Sequence, residues 1–330
     1  MTLKILAKIR KVCLVVLGLL GLFMVSTLVS AYYFTPNISK TSFLVLGISG
    51  PGHDSPTLTD TMIFSSISLK GVTMISIPRD IWYQPAQAKI NTLYYYGQEN
   101  GSGMDLVERG VFDILGKTAD HWAIIDFTTF EKMIDWVGGI NVYVNQTFDD
   151  YKYPIAGKED DLCNGDKLYA CRYEHIHFET GWQTMNGETA LEFVRSRNAE
   201  GDEGTDTARS KRQEKVIAAL KSEFLSPKIL LNIGKIKEGF QIVQAGVKTD
   251  LSQADILPLV KLFLIAFQQE MKSYVLDGWE SETGLLFHPN VHLSKQWVLL
   301  PRNNNWDQVH QFVSCFIDKR DPALCSSVGE

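Results

Sequence analysis

Over 330 residues the sequence has none of the common nucleophile or nucleotide motifs. There is no G-x-S-x-G, no Walker phosphate loop and no H-E-x-x-H, and its seven histidines are scattered. Those absences set aside α/β-hydrolase, P-loop and zincin chemistry. A basic excess is missing too. The formal charge is −6, which argues against a general nucleic-acid binder, because neutralising phosphates needs a cationic surface. Proline is sparse at 11 residues, and neither a repeat nor a low-complexity block occurs. With 45% hydrophobic and 21% charged residues the composition is globular, and the length suffices for one large domain or two small ones.

Charge is absent altogether from Val12 to Tyr33, a run of 22 residues. At 1.5 Å per residue a helix of that length crosses a hydrocarbon layer of about 30 Å, so we read one transmembrane span over 12–33. Lys4, Lys8, Arg10 and Lys11 precede it and are the only charges before Lys40. The positive-inside rule therefore keeps residues 1–11 in the cytoplasm and places everything after Phe34 outside the cell membrane. The small residues Val29-Ser30-Ala31 suggest a cleaved signal peptide as the alternative, but the apolar run exceeds a signal core of about 7–15 residues. A buried core helix leaves four cations at one end unexplained. The net charge divides accordingly into +4 before the span and, from Lys40 on, 28 basic against 38 acidic residues, or −10.

Cysteine is scarce as well. Cys13 lies in the apolar run as a packing residue, which leaves Cys163, Cys171, Cys315 and Cys325. Four cysteines allow three pairings. Their short spacings suggest Cys163–Cys171 and Cys315–Cys325, which an oxidising compartment preserves. Cys171 with His175 and His177 also offers thiolate and imidazole donors for zinc, but the spacing fits no standard zinc pattern.

Residues 34–42 are a short polar linker. Phe43–Ile48, Met62–Leu69, Val72–Ile77, His121–Phe127 and Ile140–Val144 are β-branched-rich runs and read as strands. Met104–Leu115 and Thr128–Val137 carry apolar residues at helical spacing, and further helices are expected at 186–194, 206–224, 228–244 and 252–270. The stretch 149–182, rich in Asp, Tyr and Gly, is expected to run over the surface. Residues 272–330 hold the strand-like runs SYVLD and WVLLP and a helix around Trp306–Ile317, placed to cover or extend the sheet. The alternation predicts an α/β fold, three-layer and α/β/α-like, with a mixed central sheet and helices on both faces.

Two constellations carry chemistry. In the first, Asp54, Asp60 and Asp80 fall at strand ends or in loops leaving strands, where an open α/β sheet builds its ligand sites. Converging carboxylates need a cation, and hard oxygen donors select Mg²⁺, Mn²⁺ or Ca²⁺. Solvated aspartates satisfying turns are the alternative reading. In the second, Arg195, Arg197, Arg209 and Gln213 lie within FVRSRNAEGDEGTDTARSKRQEKVI. Arg195 and Arg197 are two apart and point the same way in an extended segment, while Arg209 and Gln213 share one helix face. Asp206 stands where it caps that helix or orients an arginine. Three guanidinium groups make a pyrophosphate clamp. A wet helix face of Arg209, Lys211, Arg212, Glu214 and Lys215 is the rival reading, and it accounts for the lysines better than for VRSR.

The blocks LTDTM (58–62), ISIPRD (75–80), KIN (89–91) with YYYG (94–97), and IDWVGGINVYV (134–144) resemble the LytR–CpsA–Psr family. So do FDDYKYPI (148–155), NGETALEFVRSR (186–197) and TDTARSKRQEKVI (205–217), all in colinear order over about 43–224. The resemblance implies a phosphotransferase that moves a glycopolymer, such as wall teichoic acid or capsular polysaccharide, from an undecaprenyl-pyrophosphate carrier to peptidoglycan. It assigns Arg79, Arg195, Arg197, Arg209 and Gln213 to the pyrophosphate and Asp60 to a metal, Mg²⁺ or Mn²⁺. Asp80 or Asp206 is the expected base, or orients an arginine. It also implies a prenyl cavity between sheet and helices, and a catalytic domain at 43–224 followed by an extension at 225–330. Two positions depart from the pattern: Ser49 stands where an aspartate is common, and Leu58 where an arginine is. Asp54 is the candidate to supply the missing carboxylate. The rival functions are a lipid-pyrophosphate hydrolase using water as acceptor, and a non-catalytic binder of polyprenyl-pyrophosphate glycans.

Overall fold

The computed structural model describes residues 38–53, 55–276, 284–319 and 321–325. The expected span at 12–33, the residues before it and the start of the linker lie outside them, as does Asp54. Among the described residues no helix is long and apolar enough to cross a membrane.

The principal strands are β1 (Lys40–Ile48), β2 (Thr59–Ser68), β3 (Gly71–Ser76), β4 (His121–Asp126), β5 (Ile140–Val144), β6 (Phe148–Pro154), β7 (Tyr173–Phe178), β8 (Gly181–Met185), β9 (Val247–Thr249) and β10 (Met271–Val275). The principal helices are α1 (Leu93–Glu99), α2 (Asp105–Leu115), α3 (Phe127–Val137), α4 (Gly187–Arg195), α5 (Asp206–Phe224), α6 (Ile233–Gly246), α7 (Gln253–Ala266) and α8 (Asp307–Lys319). A six-stranded mixed sheet runs β9-β4-β1-β2-β3-β10, with β4 parallel to β1, β10 parallel to β3, and the other pairs antiparallel.

Alternation along the central strands makes the sheet two-faced. Leu44, Leu46, Met62, Phe64 and Ile75 enter one core with Val107, Val111 and Ile114 of α2 and Val309, Phe312 and Phe316 of α8. Phe43, Ile63, Ile67 and Val72 face the other way, against Leu259, Leu262 and Ala266 of α7. Helices therefore cover both faces, as the strand–helix alternation predicts. A third core joins α3, α4 and α5 to the β5–β8 and β6–β7 pairs. Its anchors include Phe148, Tyr153, Ile176 and Phe178, so part of the expected surface excursion at 149–182 is a buried-sided hairpin. The stretch between β6 and β7 lacks core side chains, and it carries the Cys163–Cys171 bond. The second expected disulfide, Cys315–Cys325, ties α8 to the segment that follows it. The helix α1 was not foreseen, since LYYYGQE shows no helical apolar stripe.

Candidate active site

The site begins at an irregularity in the sheet. The β1–β2 register passes from Gly47 opposite Thr61 to Ile48 opposite Thr59, which makes Asp60 the extra residue of a β-bulge. Bulges re-aim side chains, and this one presents the Asp60 carboxylate, 40% exposed, at the strand end. Its Oδ1 lies 2.6 Å from Arg79 Nη1. Behind Arg79, buried Asp80 is flanked by two cations: Oδ2 is 3.5 Å from Arg79 Nε, and Oδ1 accepts from Lys89 Nζ at 2.6 Å. The KIN block thus has a physical part in the site. Lys89 holds Asp80, and the Asn91 carbonyl accepts from Thr59 Oγ1 at 3.1 Å, fixing the segment beside the bulge.

The second half of the site comes from α4, α5 and the loop between them. Thr205 caps α5, its Oγ1 accepting from the Ala208 amide at 3.1 Å, and one face of the helix then presents Arg209 and Gln213. Gln213 Nε2 donates to Thr61 Oγ1 at 3.0 Å, which joins the helix to the bulged strand. Arg195 ends α4. Its guanidinium carbon lies 4.3 Å over the Phe127 ring and 5.2 Å from that of Tyr153, and Nη1 donates to Tyr153 Oη at 3.1 Å. The aromatic faces strip water from the flat sides of the cation and leave its edges for a ligand. Burial is the main reason that the Tyr153 hydroxyl is pushed up to about 12, so it stays protonated beside the arginine.

These parts surround one cavity of about 650 Å³ between the sheet and α3, α4 and α5. Val45, Ile63, Ile125, Phe130, Met133, Leu191, Val216, Ile217 and Leu220 give it apolar walls. Asp60, Thr61, Arg195, Arg197, Arg209 and Gln213 line the same cavity, together with Ser49 and His53. A narrow pocket bordered by Asp60, Arg79, Asp80, Arg209 and Gln213 adjoins it. The structure therefore brings together Arg79, Asp80, Arg195, Arg197, Arg209, Gln213 and Asp60. Asp54 and the side chain of Asp206 lie outside the described set.

Sequence reasoning missed several contributors. Asp150, fully buried, holds the arginine loop: its Oδ2 accepts from Ser196 Oγ at 2.8 Å and from the Arg197 and Asn198 amides at 3.2 and 3.1 Å. Ser196 turns inward to Asp150 while Arg195 and Arg197 turn to the cavity, the alternation that the VRSR spacing predicts. Arg212 corrects the wet-face reading of α5. It is buried and donates to the Phe193, Ser196 and Glu203 carbonyls at 2.8, 2.6 and 2.8 Å, and to Glu203 Oε2 at 2.7 Å. Burial pulls its guanidinium down from the usual value, and Glu203 and Asp150 oppose that. His53 faces Phe127 edge-on and is held below the usual imidazole range by burial and by Arg195. Asp126 lines the cavity and caps α3 by accepting from the Thr129 amide at 2.8 Å. Gly50, at φ +81°, passes so close that a Cβ there would stand 2.7 Å from Asp126 Cβ. The signal for Asp150 was present in the FDDYKYPI block. Nothing in the local sequence marked Asp126.

The sequence matches the LytR_cpsA_psr family over residues 29–297. The chain belongs to the LytR–CpsA–Psr family. The match extends past residue 224, and the sheet explains why, since β9 and β10 form its two edges. Among LytR–CpsA–Psr relatives, a polyisoprenyl-teichoic acid–peptidoglycan teichoic acid transferase TagU of Bacillus licheniformis is 25% identical over 281 residues, 76% of this chain and 81% of that protein. The corresponding transferase TagV of Bacillus subtilis is 29% identical over 213 residues, 62% of this chain and 48% of that protein. Regulatory protein MsrR of Staphylococcus aureus is 27% identical over 282 residues, 84% of this chain and 75% of that protein. The two Bacillus relatives are transferases, the enzyme class that the motifs lead one to expect. Among solved structures, B. subtilis TagV superposes at a TM-score of 0.59 with 23% identity, covering 85% of this chain and 98% of that one. TagT bound to LIIa-WTA superposes at 0.57 with 22% identity, covering 86% and 93%. These likenesses establish the LytR–CpsA–Psr fold.

Proposed function

We propose that this chain is a membrane-anchored phosphotransferase, acting outside the cell membrane, that moves a glycopolymer from a polyprenyl-pyrophosphate carrier to peptidoglycan. The observation that carries the reading is the junction of two unlike surfaces. Arginines 195, 197 and 209 with Gln213 gather in a cavity that also holds Asp60 and Asp126 at its polar part, while much of the remaining wall is aliphatic and aromatic, which suits a lipid chain ending in a pyrophosphate.

In this reading Arg79, Arg195, Arg197, Arg209 and Gln213 take the phosphate oxygens. A peptidoglycan hydroxyl attacks the glycan-side phosphorus in line. The bond from that phosphorus to the bridging oxygen breaks, and the lipid phosphate leaves with the electron pair. Positioning and charge neutralisation supply most of the rate in such transfers. Asp80, already bound by Lys89 and Arg79, acts as a positioning residue for Arg79. Asp206, the first residue of α5, is the residue we propose as the proton acceptor.

For the cation we propose Mg²⁺, with Mn²⁺ as substitute. Mg²⁺ sites commonly rest on one or two carboxylates plus substrate phosphates, and the donors here are of that kind: the half-exposed Asp60 carboxylate in a cavity that Ser49 and Thr61 also line. When bound, the ion neutralises charge on the pyrophosphate. Asp54 is the second carboxylate we propose, and Mg²⁺ titration of Asp54→Ala tests it, with unchanged affinity removing it from the set. We also propose that residues 12–33 anchor the chain.

The deciding experiment incubates the full-length chain in detergent with a lipid-pyrophosphoryl glycan and Mg²⁺, with and without peptidoglycan. Acceptor-dependent release of lipid phosphate is the expected result. Equal release without acceptor makes the protein a hydrolase, and tight binding without turnover makes it a carrier-binding protein. Either outcome overturns the proposal.

A further inference from the structure

Asp149, His175 and His177 take no part in the chemistry above. Asp149 is the cross-strand partner of His177 in the β6–β7 hairpin, and His175 lies two residues along β7, so all three side chains stand on one face. Their ligand atoms all lie within 4.8 Å of one another. Asp149 Oδ1 is 2.7 Å from His175 Nε2 and 2.8 Å from His177 Nδ1. Each ring has a further neighbour. Tyr151 stacks on His175 with centroids 4.3 Å apart and planes 9° from parallel, and Glu179 Oε1 lies 3.7 Å from the remaining nitrogen of His177. A carboxylate behind a ligating imidazole is the usual outer support of a metal-bound histidine. Cys171, the sulfur ligand that the sequence brought to mind, is committed to Cys163 and takes no part.

We propose that Asp149, His175 and His177 form a binding site for a divalent late first-row metal, of which zinc is the natural probe. Two imidazoles and one carboxylate suit Zn²⁺ in preference to Mg²⁺ or Ca²⁺, and three protein ligands leave a fourth position open. The position in the fold gives the site a consequence. Asp149 precedes Asp150, and its own carbonyl accepts from the Glu200 amide at 3.1 Å. A metal bridging β6 and β7 therefore braces the strand that holds the Ser196–Asn198 segment and, through it, Arg195 and Arg197.

The test is calorimetric titration of ZnCl₂ into the full-length, tag-free protein in detergent, with Mg²⁺ in excess to occupy any hard-cation site. The wild type is expected to bind one zinc per chain, and His175→Ala and His177→Ala each to abolish that binding. Glu179→Gln is expected to weaken it by about 10–100-fold. His175 and His177 are 47% and 42% exposed, so both variants should fold, and zinc should raise the melting temperature of the wild type alone. No zinc uptake by the wild type, or equal uptake by His177→Ala, overturns the proposal. Neither result bears on the pyrophosphate site, which shares none of these ligands.

Discussion

Replacing Asp150 by alanine should separate the arginine loop from its support. Asp150 Oδ2 takes three hydrogen bonds, from Ser196 Oγ and the Arg197 and Asn198 amides, and Oδ1 takes a fourth from the Lys152 amide at 2.9 Å. Bonds to a charged acceptor contribute about 1.5–3 kcal/mol each, but only where water cannot replace the lost partner. Arg197 and Asn198 are exposed, so their amides regain most of what they lose, whereas Ser196 is wholly buried. Arg212, buried next to the same segment, also loses a compensating charge. The expected destabilisation is therefore about 2–4 kcal/mol, well below the sum of four bonds. Urea denaturation measures it. Asp150→Asn, which keeps one acceptor oxygen, should fall between wild type and alanine. Transfer activity should fall too, and the loss in Asp150→Ala combined with Arg197→Ala should be far from additive, because one residue acts by placing the other. A loss under about 1 kcal/mol, or additive effects on turnover, would mean that Asp150 does not hold the arginine loop in place.

Arg197→Ala leaves the core untouched, since Arg197 is exposed, and should lower transfer turnover by about 10²–10³-fold in the glycan assay with little change in melting temperature. Ile217→Trp puts a bulky ring into the apolar part of the cavity. It should weaken binding of a long-prenyl donor more than that of a short-prenyl analogue, and equal weakening of both would remove that cavity as the lipid site. The hydrogen bond to Asp149 raises the His177 imidazole above its usual 6.5. The charged pair thus stabilises the fold below about pH 6.5 and the contribution is lost as pH rises through the raised value. Asp149→Asn should accordingly lower the melting temperature in EDTA at about pH 5 and leave it unchanged at about pH 9.

The parts of the fold that were legible in the sequence are those where local periodicity and burial agree. Phe43–Ile48 and Val72–Ile77 read as strands because branched residues alternate between two buried faces. The run from Thr128 to Val137 reads as a helix because its apolar stripe ends at Gly138, which sits at φ +95°. The hairpin of β6 and β7 was less legible, because its buried residues Phe148, Tyr153, Ile176 and Phe178 are separated by exposed Tyr151, Lys152, His175 and His177 and by acids, one of which, Asp150, is itself buried. The arginines of the site were legible because Arg195 and Arg197 at two-residue spacing, and Arg209 with Gln213 at four, each present donors on one side, as binding a phosphate requires. Arg212 was not, since a buried arginine in a run of lysines and glutamates looks like its neighbours until the carbonyls of Phe193, Ser196 and Glu203 converge on it. Asp126 illustrates the same limit from another direction. Its place beside Ile48 in the parallel β1–β4 register depends on pairing across 78 residues of chain, which no local pattern encodes.

The order of strands in the central sheet bears on how the chain is made. The inner strands β1 to β4 are all complete by residue 126, yet the neighbours that close the sheet, β9 against β4 and β10 against β3, come only at residues 247–249 and 271–275. During synthesis the nascent protein therefore carries two open rows of amide and carbonyl groups for more than 100 residues of elongation. Open edges are templates for pairing with another chain. A fragment ending at residue 224 would keep the pyrophosphate arginines but leave both edges bare, and self-association rather than loss of the site should be its first failure.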